Sequence, residues 1–222
     1  MKRFASLVVL GLLLQIVGNA QTSPTGNWLI YFGNQSFKKD WLWTNEIQHR
    51  NYNAFGDLEQ LLIRTGIGKN LTPGNNNLLV GVGYIQSEPY ATGTNIKTRQ
   101  IEWRTYQQFL TKQNIGRLYL QHRYRLEERF IPDNFKVRFR YFLGLNLPIS
   151  KKEMGAKTWY ASMYNEIFMH TTSTLFDRNR VYGAIGYQAG PAIKLELGLM
   201  QQIQQNKSRT QFQLVVFNNL PL

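Results

Sequence analysis

The sequence predicts an all-β fold, an antiparallel up-and-down transmembrane β-barrel of ten or twelve strands. Three observations predict it. An export signal opens the chain and no later apolar run is long enough for a membrane helix. Period-two alternation of apolar and polar residues fills most of the remainder. The alternating stretches are also longer than the strands of soluble sheets.

The first element is the signal. Lys2 and Arg3 form a basic start, Phe4 to Val17 an apolar core, and Gly18-Asn19-Ala20 supplies the small residues a signal peptidase reads. The chain thus divides into a signal peptide, residues 1–20, and a single barrel domain, residues 21–222. Beyond residue 20 nothing approaches the roughly 20 apolar residues of a membrane helix. A mean hydropathy of −0.36 agrees. In a membrane barrel lipid-facing apolar residues alternate with polar ones, so the average stays hydrophilic.

The formal net charge is +13, and removing Lys2 and Arg3 leaves +11. Such an excess fits nucleic acid, anionic lipid headgroups or a basic lumen. Here the basic residues alternate along strands, and export takes the chain away from the genome, so nucleic acid is not an expected partner. There is no cysteine, so neither a disulfide nor a cysteine zinc site enters the reading.

The alternation marks strands at residues 27–37, 41–52, 57–70, 77–87, 97–111, 115–130, 134–149, 156–171, 178–189, 192–205 and 209–220. Many run 11 to 16 residues, whereas soluble strands average about 5–6 and a transmembrane strand needs roughly 9–11. Turn-forming residues separate them: Lys38-Lys39-Asp40, Pro73 to Asn77, Lys112-Gln113-Asn114, Pro132-Asp133-Asn134 and Gly190-Pro191. Eleven segments result, but bacterial barrels carry an even number, hence ten or twelve. Trp28, Trp41, Trp43, Trp159 and Tyr160 stand near strand ends, where interfacial aromatic girdles are expected.

Two segments display their faces clearly. Phe135, Val137, Phe139, Tyr141, Leu143, Leu145 and Leu147 alternate with Lys136, Arg138, Arg140, Gly144 and Asn146. Between Arg117 and Arg129, arginine and glutamate share one face and leucine the other. With the apolar faces toward lipid, the lumen receives Glu46, Arg50, Arg64, Glu102, Arg104, Arg117, Arg123, Arg125, Glu127, Arg129, Arg138, Arg140 and Glu166, together with Lys194 and Glu196. Two functions fit this lining. One is a structural network of ion pairs filling a small barrel. The other is a narrow porin-like channel that favours a small anionic solute. Gly66, Gly68, Gly81, Gly83, Gly183 and Gly186 open space inside or relieve curvature under either.

An enzyme acting on membrane lipid needs a nucleophile beside a base. His49 and His122 fall on apolar faces, and only His170, with Thr171, Thr172 and Ser173 after it, offers both groups. A polar loop edge explains that run equally well. Glu127 and Glu128 are adjacent in a strand and face opposite sides, so they are no catalytic pair. Neither a phosphate loop before a helix nor metal-ligand spacing is present. The expectation is a non-enzymatic protein without a cofactor.

Glu102-Trp-Arg104-Thr-Tyr106, His122-Arg-Tyr-Arg125-Leu-Glu127-Glu128-Arg129-Phe130, Arg138-Phe-Arg140-Tyr141 and Asn165-Glu166-Ile-Phe168 together resemble the domain-of-unknown-function 2490 family. Gly26-Asn27-Trp28 and Glu46 with Arg50 extend the resemblance over residues 25–220. Its members occur in Bacteroidota and proteobacteria and are regarded as outer-membrane barrels. The resemblance implies a barrel in the outer membrane of a Gram-negative bacterium, with membrane lipid and the outer-membrane assembly machinery as partners. It implies no catalytic residue. The ending Phe217-Asn-Asn-Leu-Pro-Leu222 departs from the terminal aromatic that many such barrels present.

Period two says only that the two faces differ. A soluble periplasmic β-barrel, apolar face inward around an amphipathic ligand, has the same pattern. The direction in which the faces point separates the two.

Overall fold

A sheet with one charged and one apolar face, and no second layer to cover either, leaves unpaired edges unless it closes on itself. The computed structural model describes residues 25–53, 56–171 and 174–221. The signal-peptide segment, together with Thr172 and Ser173, lies outside the described residues. Among the described residues there are eleven strands and no helix. They are β1 (Gly26–Lys38), β2 (Trp41–Asn51), β3 (Leu58–Asn70), β4 (Asn76–Ser87), β5 (Gln100–Ile115), β6 (Leu118–Ile131), β7 (Asn134–Pro148), β8 (Thr158–His170), β9 (Phe176–Gln188), β10 (Ile193–Gln204) and β11 (Lys207–Asn218).

Each strand pairs antiparallel with the next, and the ring closes where β1 meets β11 in parallel, from Gly26 opposite Gln211 to Gly33 opposite Asn218. The expectation of ten or twelve strands, all antiparallel, is therefore corrected to eleven with one parallel seam. Parity is the reason: an odd meander brings its last strand back running the same way as its first. The alternation marks all eleven; the even-number rule does not hold for this chain.

The topology defines two mouths. The first holds the start of β1 and the β2–β3, β4–β5, β6–β7, β8–β9 and β10–β11 connections; the second holds the other five. One turn departs from its expected place. Lys112-Gln113-Asn114 remains strand, and the β5–β6 reversal falls at Gly116, whose φ of 58° is the left-handed conformation glycine adopts without strain.

Inside, the packing inverts that of a soluble domain. Glu46, Arg64, Arg125, Glu127, Arg138, Arg140 and Glu166 are buried, whereas Ile63, Val80, Val82, Leu197 and Leu214 are exposed on the outer wall. The charged face points in and the apolar face out, opposite to the inverted soluble barrel considered above. Trp41, Trp43 and Trp159 do lie outside, at the second mouth. Trp28 and Tyr160 do not belong to a girdle; both are buried in the lumen. Register explains the difference, because Trp28 shares its face with Ile30, and Tyr160 shares its face with Glu166.

Candidate functional site: the barrel lumen

The sheet register places opposite charges side by side. Glu46 faces Arg64 across β2–β3, Glu127 faces Arg138 across β6–β7, and Glu166 faces Arg180 across β8–β9. Directly opposed inward residues lie within reach of one another's side chains.

Glu127, fully buried, is the hub. Arg138 donates to its Oε2 from Nη2 at 2.6 Å and from Nε at 3.1 Å, and Arg140 Nη1 donates to Oε1 at 2.5 Å. Arg64, Arg125 and Arg104 stand farther out, at 3.5, 3.7 and 3.9 Å. Arg140 also reaches Glu166 at 2.6 Å, which Arg123 meets at 2.8 Å. Glu46 takes Arg64 at 3.1 Å and the Gln48 amide. Glu102 receives a two-pronged bond from Arg129, at 2.6 and 2.9 Å, and a third from Arg104 at 2.5 Å. Charge-assisted, forked bonds of this kind are short and directional. Rings line the guanidinium planes: Arg140 and Arg180 lie 4.5 and 4.7 Å from the centre of Phe168, and Arg125 lies 4.5 Å from Tyr106.

The network divides the lumen into two chambers, with Arg140 and Arg180 lining both. Toward the first mouth is a cavity of about 180 Å³ half of whose lining residues are arginine, Glu102 being its one carboxylate. Toward the second is a cavity of about 530 Å³ bounded by Phe32, Phe142, Tyr164 and Tyr182. There Glu196 accepts from Tyr160 Oη at 3.0 Å and Tyr182 Oη at 3.3 Å.

Of the residues singled out from sequence, Glu46, Arg50, Arg64, Arg104, Arg125, Glu127, Arg138, Arg140 and Glu166 are buried in the lumen. Glu102, Arg123 and Arg129 point inward with slightly more exposure. Arg117 is not with them. It sits in the β5–β6 turn and donates to the Pro148 and Lys151 carbonyls, at 2.6 and 3.1 Å. The turn at Gly116 removes it from the strand, and with it from the inward face. Lys194 and Glu196 line the wider chamber, apart from the arginine network.

Sequence reading missed Arg178 and Arg180, which line the arginine chamber, and Asp177, which Arg138 meets at 3.0 Å. The signal was present for Arg180, which shares parity with Gly186 and Gln188 in β9. His170 lies 3.6 Å from Asp177, beside the network. His122 faces outward to the Tyr141 hydroxyl at 2.9 Å. Among the described residues no cluster of His, Cys, Asp or Glu could hold a metal ion, and no helix is long and apolar enough to cross a membrane.

A family model described as a protein of unknown function (DUF2490) matches residues 25–213. No curated protein and no solved structure matches the chain.

Proposed function

The chain belongs to the DUF2490 family, whose function is unknown, and from that premise we propose a non-enzymatic bacterial outer-membrane barrel whose interior is a structural Arg/Glu plug that favours anions. One observation carries the reading: the outer wall is apolar and the inner wall charged. Val80 and Leu197 are 61% and 62% exposed, whereas Glu127 is 0% exposed. A contiguous apolar surface of this extent is a liability in water and is satisfied by lipid.

The aromatic residues support it. Trp41, Trp43 and Trp159 ring the second mouth, and Trp103, Phe130 and Phe135 are exposed near the first. Between them the wall is largely aliphatic, as between two membrane interfaces. Strands of 11 to 16 residues fit the same span. At about 3.3 Å per residue and a tilt near 40° they rise roughly 28–40 Å, enough for an apolar band of about 25 Å.

The test is gel migration of the protein from purified outer membranes, with and without boiling, followed by bilayer recording. The expected result is faster migration before boiling, with conductance that is small or absent and anion-selective where present. Recovery from the soluble periplasm with no heat-dependent shift would overturn the membrane reading. Cation-selective current unaffected by Arg125→Gln or Arg140→Gln would overturn the anion bias.

A further inference from the structure

We propose that the arginine chamber at the first mouth binds a compact dianionic oxyanion, a phosphate group, with Arg50 and Arg180 as its principal ligands. This rests on the reading of the lumen as anion-favouring and deepens it by naming the site and the chemistry.

The argument is one of local charge. Glu102, Glu127, Glu166 and Asp177 are each met by at least two arginines within 3.1 Å, and Glu46 is met by Arg64. Three inward guanidinium groups have no carboxylate that close: Arg125, which donates to Gln108 and stands 3.7 Å from Glu127 beside the wider chamber, and Arg50 and Arg180, which line the arginine chamber. Arg50 forms no ion pair with any described residue; its donors go to the side-chain oxygens of Gln48 and Gln60. Arg180 Nε donates to Gln202 Oε1 at 3.0 Å. Its nearest carboxylate, Glu166, is 3.9 Å away and already engaged by Arg140 and Arg123.

These two cations lie on the same ring. Arg50 is 3.8 Å and Arg180 4.9 Å from the centre of the Trp28 indole, and they are 8% and 7% exposed. Like charges this close, withdrawn from water, are mutually destabilising unless an anion joins them. The residues that orient them are the second clue. Gln48, Gln60 and Gln202 accept hydrogen bonds as glutamates would, but leave the positive charge uncancelled. A plug built only for stability gains from glutamate there. Amide orientation of paired arginines instead holds two forks ready for an incoming ligand.

The forks match a phosphate, whose oxygens accept paired N–H donors in the guanidinium plane. Arg64 and Arg178 also line the chamber, and Ser87 and Gln100 add neutral donors. The cavity of about 180 Å³ suits a compact group. The phosphate is either free or carried on a lipid headgroup, and the two sources share this chemistry.

The experiment is calorimetric titration of the full chain, folded in detergent, with inorganic phosphate, and in a second arm with phosphatidic acid in mixed micelles. Ionic strength is matched with chloride throughout. Saturable binding is expected, weakened about tenfold or more by Arg50→Gln or Arg180→Gln, as for truncating one side of a buried charge contact. Arg99→Gln, at a side chain 65% exposed, leaves it unchanged. Binding of inorganic phosphate identifies the free anion, and binding of phosphatidic acid alone identifies the lipid headgroup. Thermal unfolding is the second readout and holds even for a poorly folding variant: phosphate raises the wild-type midpoint and leaves that of the Arg50→Gln, Arg180→Gln double variant unmoved. Absence of saturable binding in both arms, or binding by both variants as tight as by the wild type, overturns the site. That result leaves the outer-membrane reading standing, since gel migration tests it separately. Conversely, a protein found in the periplasm overturns that reading without altering a binding isotherm.

Discussion

The two halves of the lumen bury carboxylates in different company. Toward the first mouth Glu127 is bonded by Arg138 and Arg140, with three more arginines just beyond. Toward the second, Glu196 is held by the hydroxyls of Tyr160 and Tyr182. The first arrangement makes the negative charge indispensable, because five guanidinium groups crowd it and the other carboxylates beside them, Glu46, Glu102, Glu166 and Asp177, are too few to cancel that charge. The second needs an acceptor at that place and no particular charge.

The largest expected effect follows directly. Glu127→Gln keeps the shape but leaves Arg138 and Arg140 short of a counterion, and should lower stability by about 3–5 kcal/mol, as when one partner of a buried pair is removed. Glu196→Gln keeps an acceptor for both tyrosines, and should lose about 1 kcal/mol or less. Urea titration of the barrel in detergent, followed by loss of the fast-migrating gel form, measures both. Equal losses would mean that arginine and tyrosine surroundings are equivalent, and the contrast between the halves would collapse.

A smaller effect sharpens the picture of the second half. Tyr160 lies over Gly186 so closely that a Cβ there would stand 2.2 Å from the ring's Cζ. Gly186→Ala must push the ring off its position and weaken its bond to Glu196, at about 1–3 kcal/mol for an overpacked core. Gly183, three residues earlier in β9, meets nothing within 4 Å of its Cβ position. Gly183→Ala should stay within about 0.5 kcal/mol of wild type. Were the two variants equally stable, the ring would have room the geometry denies it.

How much of this was legible in the sequence depends on what parity can carry. Alternation along β6 and β7 put Arg125, Glu127, Arg138 and Arg140 on one face, and the barrel places all four in the lumen. Parity does not say where a strand stops. Arg117 reads as inward because the polar residues 112–114 mark the β5–β6 turn in the sequence, whereas the reversal falls at Gly116. Nor does it say whether an aromatic near a strand end faces lipid or an arginine. Trp28 lies beneath Arg50 and Arg180, a pairing that depends on β2 and β9 flanking the seam region and is invisible in β1 alone. The strand count was legible and was set aside in favour of a general rule. The partition into an arginine chamber and an aromatic chamber depends on how eleven registers align around the ring, which no single strand records.

The smallest expected effect concerns the first mouth itself, where the β4–β5 connection is fastened over the rim. Lys97 pairs with Asp57 and donates to the Leu58 carbonyl at 2.8 Å, while Tyr90 Oη donates to Asp57 at 3.0 Å. Burial works against the Lys97 charge, but the Asp57 carboxylate outweighs it and holds the ammonium above its ordinary 10.5. The hydrogen bond to Asp57 likewise raises the Tyr90 phenol above its ordinary 10.0. Both groups are bound more tightly in their protonated forms. Their contribution is therefore complete below about pH 10 and is lost as pH rises through the raised values. A spin label at Thr94→Cys, in a chain with no other cysteine, reads the consequence. The label should be restrained near neutral pH and gain mobility above about pH 10.5 while the barrel stays folded, because local openings precede global unfolding. Lys97→Met should free it at neutral pH. A label equally restrained at about pH 11.5 in both proteins would show that the connection is held by something other than this charge pair.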